Sequence, residues 1–315
     1  MKKIFFCLLL CLVIVFVACA TNEEWVVSVD GEKIDRGEFT VYLNEQKKSF
    51  EAQGGEDIWE ADFDGVSAVE VAKNNAINTI TMVKVACKQA PSLNISADKT
   101  DEAAIEERVN EIMGEFSPEE LKSLSLDKNK VTRIIKEARI QSKVFDYITE
   151  GYVVNEDEFE EYFEKYKQEN PLVFKSCDIR EIFIQKDTDD ALEKKERAVE
   201  LIGKGKKIDA IETALNTGSN TDVKPLEGDL YSKSIIDGVL SAKNGDVMFF
   251  EDENGYYIIS LEDTFFADEA AIKEQLRQNY ISEKKNEIYK QQNDKWSADV
   301  KTEKNDKVWS SITEV

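Results

Sequence analysis

The amino-acid sequence predicts an α+β protein in which a mostly helical domain is interrupted by a compact domain of mixed strands and helices. Apolar side chains recur at helical spacing through residues 35–150. The pattern changes over residues 173–261, where alternating apolar segments typical of strands are separated by short amphipathic helices. Helical spacing returns from Asp268, and a lone amphipathic helix must bury its apolar stripe on another surface.

Turn and capping residues predict where the first elements begin. Residues 26–34 alternate around an Asp-Gly turn, which predicts a short hairpin-like strand entry. Asp35, with Glu38 three residues later, predicts the start of the first helix in the manner of a capping box. Ser117-Pro118 predicts a later helix start, because serine caps helices and proline suits the first helical position.

The interrupting domain begins with a predicted strand over residues 173–184. Amphipathic helices are predicted over residues 190–202 and 208–215. A hairpin is predicted over residues 247–261, around an Asp-Glu-Asn-Gly turn. A strand, helices and a hairpin in this order are typical of a small α+β domain.

The C-terminal helix is predicted to pack its apolar stripe on the N-terminal helical block, which is the surface available to it. The segment between them is then an inserted domain. We assign residues 172–263 to the inserted domain, and residues 19–170, completed by residues 264–315, to the helical domain. Cys87 and Cys177 then fall in different domains, so we expect buried single thiols rather than a disulfide.

The composition limits the chemistry that this chain can perform. Its 315 residues include 41 Lys and Arg, 64 Asp and Glu, and no His, for a formal net charge of −23. Without His there is no imidazole to activate a nucleophile, bind a metal or exchange protons near neutral pH. The negative charge disfavours nucleic acid and anionic lipid headgroups as partners. We expect no cofactor. We also expect no metal site, because the acidic residues at 156–161 are typical of a solvated helix surface.

The N-terminus has the layout of a bacterial export signal. Two lysines precede an uninterrupted apolar run from Ile4 to Ala18, which is too short to span a membrane as a typical helix. The run Phe16-Val17-Ala18-Cys19 resembles a lipobox, which makes Cys19 the predicted lipidation site. We therefore expect residues 1–18 to be a lipoprotein signal peptide and a lipid anchor alone to hold the protein at the outer face of the bacterial cytoplasmic membrane. The alternatives are an ordinary cleaved signal and an N-terminal anchor helix.

Six short motifs stand in the order found in one known family. They are Val29-Asp30-Gly31-Glu32-Lys33-Ile34 with Glu38-Phe39, Val154-Asn155-Glu156-Asp157-Glu158-Phe159, Ile179-Arg180-Glu181-Ile182-Phe183-Ile184, Glu227-Gly228-Asp229-Leu230, Lys243-Asn244-Gly245-Asp246-Val247 and Gly255-Tyr256-Tyr257-Ile258-Ile259. Together they cover nearly the whole mature chain and resemble the parvulin-containing foldase lipoproteins, the PrsA-like and SurA-like extracytoplasmic chaperones. The resemblance implies a helical SurA-N-like chaperone domain with an inserted parvulin-like α+β domain.

The resemblance also implies which residues occupy the parvulin active-site positions, and these depart from the family pattern. The two family histidines fall on Glu181 and Tyr257, and its acid or thiol position falls near Thr221. The segment that carries the family's active-site Phe, here between Asp229 and Ile235, is shorter than in the family. A carboxylate and a phenol can form a charge-assisted hydrogen bond, so we predict that Glu181 and Tyr257 pair. The remaining apolar groove for a client would comprise Ile235, Leu240, Phe250, Tyr256 and Tyr257.

Three functions are open on this evidence. The first is a chaperone or foldase that binds unfolded or partly folded secreted proteins, with weak or lost peptidyl-prolyl isomerase activity. The second is an active isomerase with a rebuilt groove, and the third is a structural lipoprotein with one dedicated partner. Prolyl isomerisation requires a dry pocket that stabilises a twisted amide against a barrier of about 18–20 kcal/mol. Because Glu181 would place negative charge near the amide oxygen, we expect weak isomerase activity. The sequence leaves a homodimer open.

Overall fold

The computed structural model describes residues 25–313, and it places them in two compact units. The first unit comprises residues 25–152 and 285–313, and the second comprises residues 153–284. The mixture of helices and antiparallel sheets confirms the predicted α+β class. The predicted signal peptide and the predicted lipidation site Cys19 lie outside the described residues. Among the described helices, none is long and apolar enough to cross a membrane.

The first unit is mostly helical, as the sequence predicted. Up to residue 152 its strands and helices are β1 (Trp25–Val29), β2 (Glu32–Asp35), α1 (Arg36–Gly54), β3 (Asp62–Phe63), β4 (Val66–Ser67), α2 (Ala68–Gln89), α3 (Glu102–Gly114), α4 (Pro118–Ser123) and α5 (Lys128–Thr149). The capping predictions are confirmed at α1 and α4. The Asp35 carboxylate accepts a hydrogen bond from the Glu38 amide at 3.0 Å, and Ser117 and Glu120 form a capping box ahead of α4.

The second unit is built on a four-stranded antiparallel sheet. Its elements are α6 (Glu156–Glu169), α7 (Pro171–Phe174), β5 (Lys175–Gln185), α8 (Ala191–Gly203), α9 (Ile208–Leu215), β6 (Lys224–Pro225), α10 (Lys233–Ser241), β7 (Val247–Glu251), β8 (Gly255–Phe266) and the first part of α11 (Glu269–Ser297). The strands are ordered β6-β5-β8-β7. Helices α8 and α9 pack on one face of this sheet, and α10 packs on the other.

The last described elements return to the first unit. Strand β9 (Thr302–Lys304) pairs antiparallel with β1, so the small sheet is ordered β2-β1-β9. Helix α12 (Asp306–Trp309) follows, and Trp309 packs in an edge-to-face contact with Phe39 of α1. The core of this unit lies between β1 and helices α1, α2, α3 and α5. Residues near the two ends of the described chain thus share one core.

The boundaries between the units differ from those that the sequence predicted. The predicted limits of 172 and 263 assign α6 and all of α11 to the helical domain, whereas the structure places residues 153–170 and 264–284 in the second unit. The physical reason is a separate aromatic core. Phe159 and Phe163 of α6 pack with Tyr280 of α11, so these two helix segments bury their apolar faces on each other. Only the part of α11 from Lys285 onward belongs to the first unit.

Candidate functional site

One face of the second unit's sheet carries most of the residues that the resemblance singled out. In the strand register, Tyr257 of β8 lies between Phe183 of β5 and Phe250 of β7. Glu181 lies two residues before Phe183 in β5, and therefore on the same face, where it is paired with Ile259 of β8. The rings of Phe183 and Tyr257 are in contact, with centroids 4.9 Å apart. The structure therefore brings Glu181, Tyr257 and Phe250 to one face.

The partner of Glu181 differs from the predicted one. Its carboxylate accepts a hydrogen bond from the Tyr231 hydroxyl and lies 3.2 Å from the Lys224 ammonium, while no hydrogen bond joins it to Tyr257. Tyr231 comes from the shortened segment ahead of α10, and its ring meets that of Tyr257 edge-on at 6.1 Å. The sequence offered one signal for Tyr231, namely that it is the aromatic residue in the segment where the family carries its Phe.

Both phenols on this face stay protonated near neutral pH. Burial and the hydrogen bond to Glu181 raise the pKa of Tyr231 well above its ordinary value. Burial and the neighbouring carboxylate of Asp252 raise the pKa of Tyr257. A phenol that cannot lose its proton is no general base, so the arrangement offers a hydrogen-bonded phenol and carboxylate in place of an exchanging imidazole pair.

Thr221 does not lie beside Glu181, although the resemblance placed both residues in one active site. Arg180 donates to the Thr221 carbonyl oxygen through Nε at 2.6 Å and to its hydroxyl through Nη2 at 3.2 Å. The same guanidinium is paired with Asp209 of α9. Adjacent strand residues point to opposite faces, so Arg180 holds Thr221 on the side away from Glu181.

Tyr256 is separated from the predicted groove for the same reason. Its side chain lies on the face covered by α8 and α9, where it packs with Ile182 and Ile258. The Lys195 ammonium of α8 lies 4.8 Å from the centroid of its ring. Tyr256 is therefore a core residue of that face, and the prediction that it lines the same groove as Tyr257 is wrong.

Helix α10 fills the place where an open groove was expected. Ile235 is fully buried against the sheet, and Leu240 and Phe250 are half-buried beside it. The helix approaches so closely at Gly238 that an added Cβ would lie 2.4 Å from Cε1 of the Phe250 ring. Ile235, Leu240, Phe250 and Tyr257 thus form a packed core instead of the expected client groove, and Phe183 beside Tyr257 is 37% exposed.

The part of the chain that the structure describes holds no candidate metal centre. Within residues 25–313, no group of three or more Asp, Glu or Cys side chains is arranged to hold a metal ion. Cys87 and Cys177 are both free thiols. Burial raises the pKa of Cys87 to about 11, which disfavours the reactive thiolate.

A second candidate site, which the sequence analysis missed, is a cleft in the helical unit. It has a volume of about 460 Å³ and lies among helices α1, α2, α3 and α5. The residues that form its wall are mainly apolar, and they include Val41, Tyr42, Val83, Ala104, Ile105, Ile112, Ile134, Ile135 and Ala138. Helical spacing predicted the apolar faces of these helices, but it could not predict that their packing leaves a gap.

The charged residues at this cleft are paired with one another. Arg108 contacts Glu45 at 2.8 Å and Glu111 at 2.7 Å. Arg139 donates through Nε to Asp101 at 2.6 Å. Because these guanidinium groups already have carboxylate partners, the cleft is suited to an uncharged apolar ligand rather than to an anion.

The arrangement of a helical unit interrupted by an α+β unit, with the six motifs on its elements, resembles the class of parvulin-containing foldases. Comparison with known proteins supports this class and narrows it. The chain is 21% identical over 288 residues to the foldase protein PrsA of Caldanaerobacter subterraneus, covering 88% of each chain. It is 20% identical over 310 residues to the foldase protein PrsA of Clostridium acetobutylicum, covering 91% of this chain and 90% of that protein. The resemblance to the PrsA-like foldases is thus confirmed.

The chain is also similar to solved structures over most of its length. The solved structures include the peptidylprolyl isomerase PrsA from Bacillus cereus, with 12% identity, a TM-score of 0.34 and coverage of 93% of this chain and 100% of that chain. They also include a SurA-like chaperone from Campylobacter jejuni, with 14% identity, a TM-score of 0.32 and coverage of 89% and 98%. No family model matches this chain.

Proposed function

We propose that this protein is a lipid-anchored extracytoplasmic chaperone that binds unfolded secreted polypeptides through the cleft of its helical unit. The observation that carries the proposal is the apolar wall of that cleft, of about 460 Å³, with its neighbouring charges already paired. Similarity to proteins described as foldase protein PrsA supports the same function. Unfolded clients are distinguished from folded proteins by their exposed apolar side chains, which this cleft can bury.

The size of the cleft is consistent with weak, reversible binding. Burying one large apolar side chain contributes about 1.5–3 kcal/mol, and part of this is offset by the loss of conformational freedom in the client. A cleft for one or two side chains therefore holds a client loosely. Loose binding protects an unfolded chain from aggregation and still releases it to fold.

We further propose that the α+β unit has little or no prolyl isomerase activity. Catalysis requires a proline-sized dry pocket with hydrogen-bond donors near the twisted amide. Here α10 occupies the face of the sheet, and the Tyr231 hydroxyl donates to Glu181 instead of toward a substrate. The carboxylate of Glu181 adds negative charge where an amide oxygen would need a donor.

The anchoring proposal rests on the N-terminal motif. Cys19 follows an apolar run of export-signal length, and a diacylglyceryl group with two chains suffices for stable membrane attachment. Replacing Cys19→Ser should abolish lipid labelling and shift the protein out of the membrane fraction. Unchanged labelling and fractionation would exclude this anchor.

The chaperone proposal is tested by suppression of client aggregation with a matched pair of variants. Ala103 and Ala104 are both exposed, but of the two Ala104 lines the cleft and Ala103 does not. We expect Ala104→Glu to lose most of the suppression because it places a carboxylate on the apolar wall, and Ala103→Glu to retain it at the same net charge. Equal activity of the two variants, or no suppression by the wild type, would overturn the cleft as the client site.

The isomerase alternative is tested on the same protein with a proline-containing peptide. We expect rates close to the uncatalysed rate. The variant Glu181→His/Tyr257→His should not restore catalysis, because α10 still covers this face of the sheet through its buried residue Ile235. Strong catalysis by the wild type that is abolished by Phe250→Ala would instead favour an active isomerase with a rebuilt groove.

A further inference from the structure

A buried tyrosine hydroxyl at the cleft has no hydrogen-bond partner. Tyr42 of α1 lines the cleft, and its side chain is only 6% exposed. Within residues 25–313 its hydroxyl makes no hydrogen bond. An unpartnered buried polar group destabilises the folded state, so phenylalanine would give a more stable protein at this position. A buried hydroxyl without a partner in the protein therefore indicates that a bound ligand supplies its hydrogen-bond acceptor.

The charges around Tyr42 determine which partner fits. The carboxylates of Glu38 and Glu137 lie near its hydroxyl, and both are already bound by Lys84, at 3.1 Å and 2.7 Å. Arg133 also contacts Glu38 at 2.6 Å and Glu137 at 3.0 Å. Neither carboxylate accepts a hydrogen bond from Tyr42. Burial and these two neighbours raise the pKa of Tyr42 well above its ordinary value, so the hydroxyl remains a donor.

A hydrogen-bond donor at the wall of an apolar cleft, beside charges that are already paired, favours a neutral acceptor. Lys84 and Arg133 balance Glu38 and Glu137, and the cleft residues Arg108 and Arg139 are paired as well, so an anionic ligand group would be buried here with all four of these cations already engaged. A purely aliphatic side chain would fill the cleft but leave the hydroxyl without a partner. An uncharged amide on an aliphatic stem can do both: its stem packs against the apolar wall, and its carbonyl oxygen accepts a hydrogen bond from the Tyr42 hydroxyl.

We propose that Tyr42 makes the cleft selective for client segments that insert a neutral, acceptor-bearing side chain, such as glutamine, among aliphatic ones. This inference rests on the proposed function of the cleft. One neutral hydrogen bond in a desolvated site corresponds to about a tenfold change in affinity. Tyr42 is therefore a specificity-determining residue for clients.

The test uses three labelled, unstructured peptides of one host sequence that differ at a central residue of similar length, namely Gln, Met or Glu. We expect the wild-type full-length protein to bind the Gln peptide about tenfold more tightly than the Met peptide, and the Glu peptide most weakly. Tyr42→Phe should abolish the preference for Gln over Met, because the Gln peptide loses the hydrogen bond that distinguishes it from the Met peptide. Tyr147→Phe, at an exposed tyrosine of α5, is the matched control and should behave as wild type.

Stability gives an independent readout, because Tyr42→Phe removes only an unpartnered hydroxyl. Its Tm should equal or exceed that of the wild type; a clear drop would reveal a partner within the protein and overturn the inference. Equal binding of the Gln and Met peptides, with both lost in Ala104→Glu, would overturn the role of Tyr42 and leave the cleft as client site. Absence of binding by any peptide would overturn both proposals.

Discussion

The hydroxyl of Tyr231 donates a hydrogen bond to the carboxylate of Glu181, at the position where the family resemblance places an imidazole. The bond ties β5 to the segment that leads into α10, and Lys224 of β6 lies on the other side of the carboxylate at 3.2 Å. A phenol, a carboxylate and an ammonium thus stabilise this face of the sheet. Polar side chains that serve packing in this way are not free to act on a substrate.

Replacing Tyr231→Phe should destabilise the second unit. The variant removes a hydrogen bond to a charged, half-buried acceptor, and such bonds contribute about 1.5–3 kcal/mol. Urea unfolding monitored by circular dichroism measures the loss. Tyr147→Phe, at an exposed site, should change the free energy of unfolding by less than about 0.5 kcal/mol. Similar losses in the two variants would show that the Tyr231 hydroxyl contributes no specific stability.

Gly238→Ala should also destabilise the second unit, by about 1–3 kcal/mol, because the new methyl group would lie 2.4 Å from the Phe250 ring. Gly203→Ala is the control: it lies at the end of α8 with no atom within 4 Å of the added Cβ, so its stability should be unchanged or slightly raised. Adding Phe250→Leu to Gly238→Ala should restore part of the loss. No rescue by that second change would argue against close packing of α10 on the sheet.

Lys73→Met should destabilise the first unit. The Lys73 ammonium is almost completely buried, where it donates to the carbonyl oxygens of Trp309 and Ile312, each at 3.0 Å. Its removal leaves those carbonyls unsatisfied, at a cost of about 3 kcal/mol. Thermal unfolding and limited proteolysis near the C-terminus measure the effect.

Lys88→Met on the same helix provides the comparison for Lys73. Lys88 is 63% exposed and forms a surface ion pair with Asp30. Surface pairs contribute about 0–1 kcal/mol, so this variant should unfold nearly as the wild type does. If Lys88→Met proved as damaging as Lys73→Met, the buried ammonium would have no special role in holding the C-terminal segment.

Acid should weaken the first unit through Asp101. Hydrogen bonds from Lys143, from the Asp98 amide and from Arg139 hold the pKa of Asp101 far below its ordinary value of about 3.9. A carboxyl whose pKa is lowered in the folded state stabilises that state above about pH 4, and this contribution is lost as the pH falls below that value. Tm measured from pH 6 to pH 2 should therefore fall less steeply for Asp101→Asn than for the wild type. The exposed control Asp146→Asn should follow the wild-type curve; identical slopes for all three proteins would contradict the assignment.

Local features of this fold were predictable from sequence, since they depend on neighbouring residues. Asp35 and Ser117 marked helix starts because capping uses side chains within three positions of the helix end. The hairpin around residues 252–255 was likewise evident, and β7 and β8 pair across it. Strand alternation also implied that Tyr256 and Tyr257 face opposite ways, although the predicted groove contained both.

Features that depend on tertiary packing were not predictable. The pairing of α6 with α11, which moved the unit boundaries, requires knowing which apolar faces meet. The Tyr231 partner of Glu181 depends on the path of the segment before α10. The cleft of the helical unit lies where the apolar faces of several helices do not pack fully against one another. The sequence predicted these faces, but no sequence motif marks a gap between them.

The pairing of β1 with β9 has a consequence for the timing of folding. These strands come from opposite ends of the described chain, so the pairing of β1 with β9 and the contacts of Trp309 cannot form until residues 302–309 have been synthesised. The residues between them, including the whole four-stranded sheet of the second unit, become available earlier. The first unit therefore completes its core only after every residue of the second unit is already available, although the first unit contains the earliest described strand.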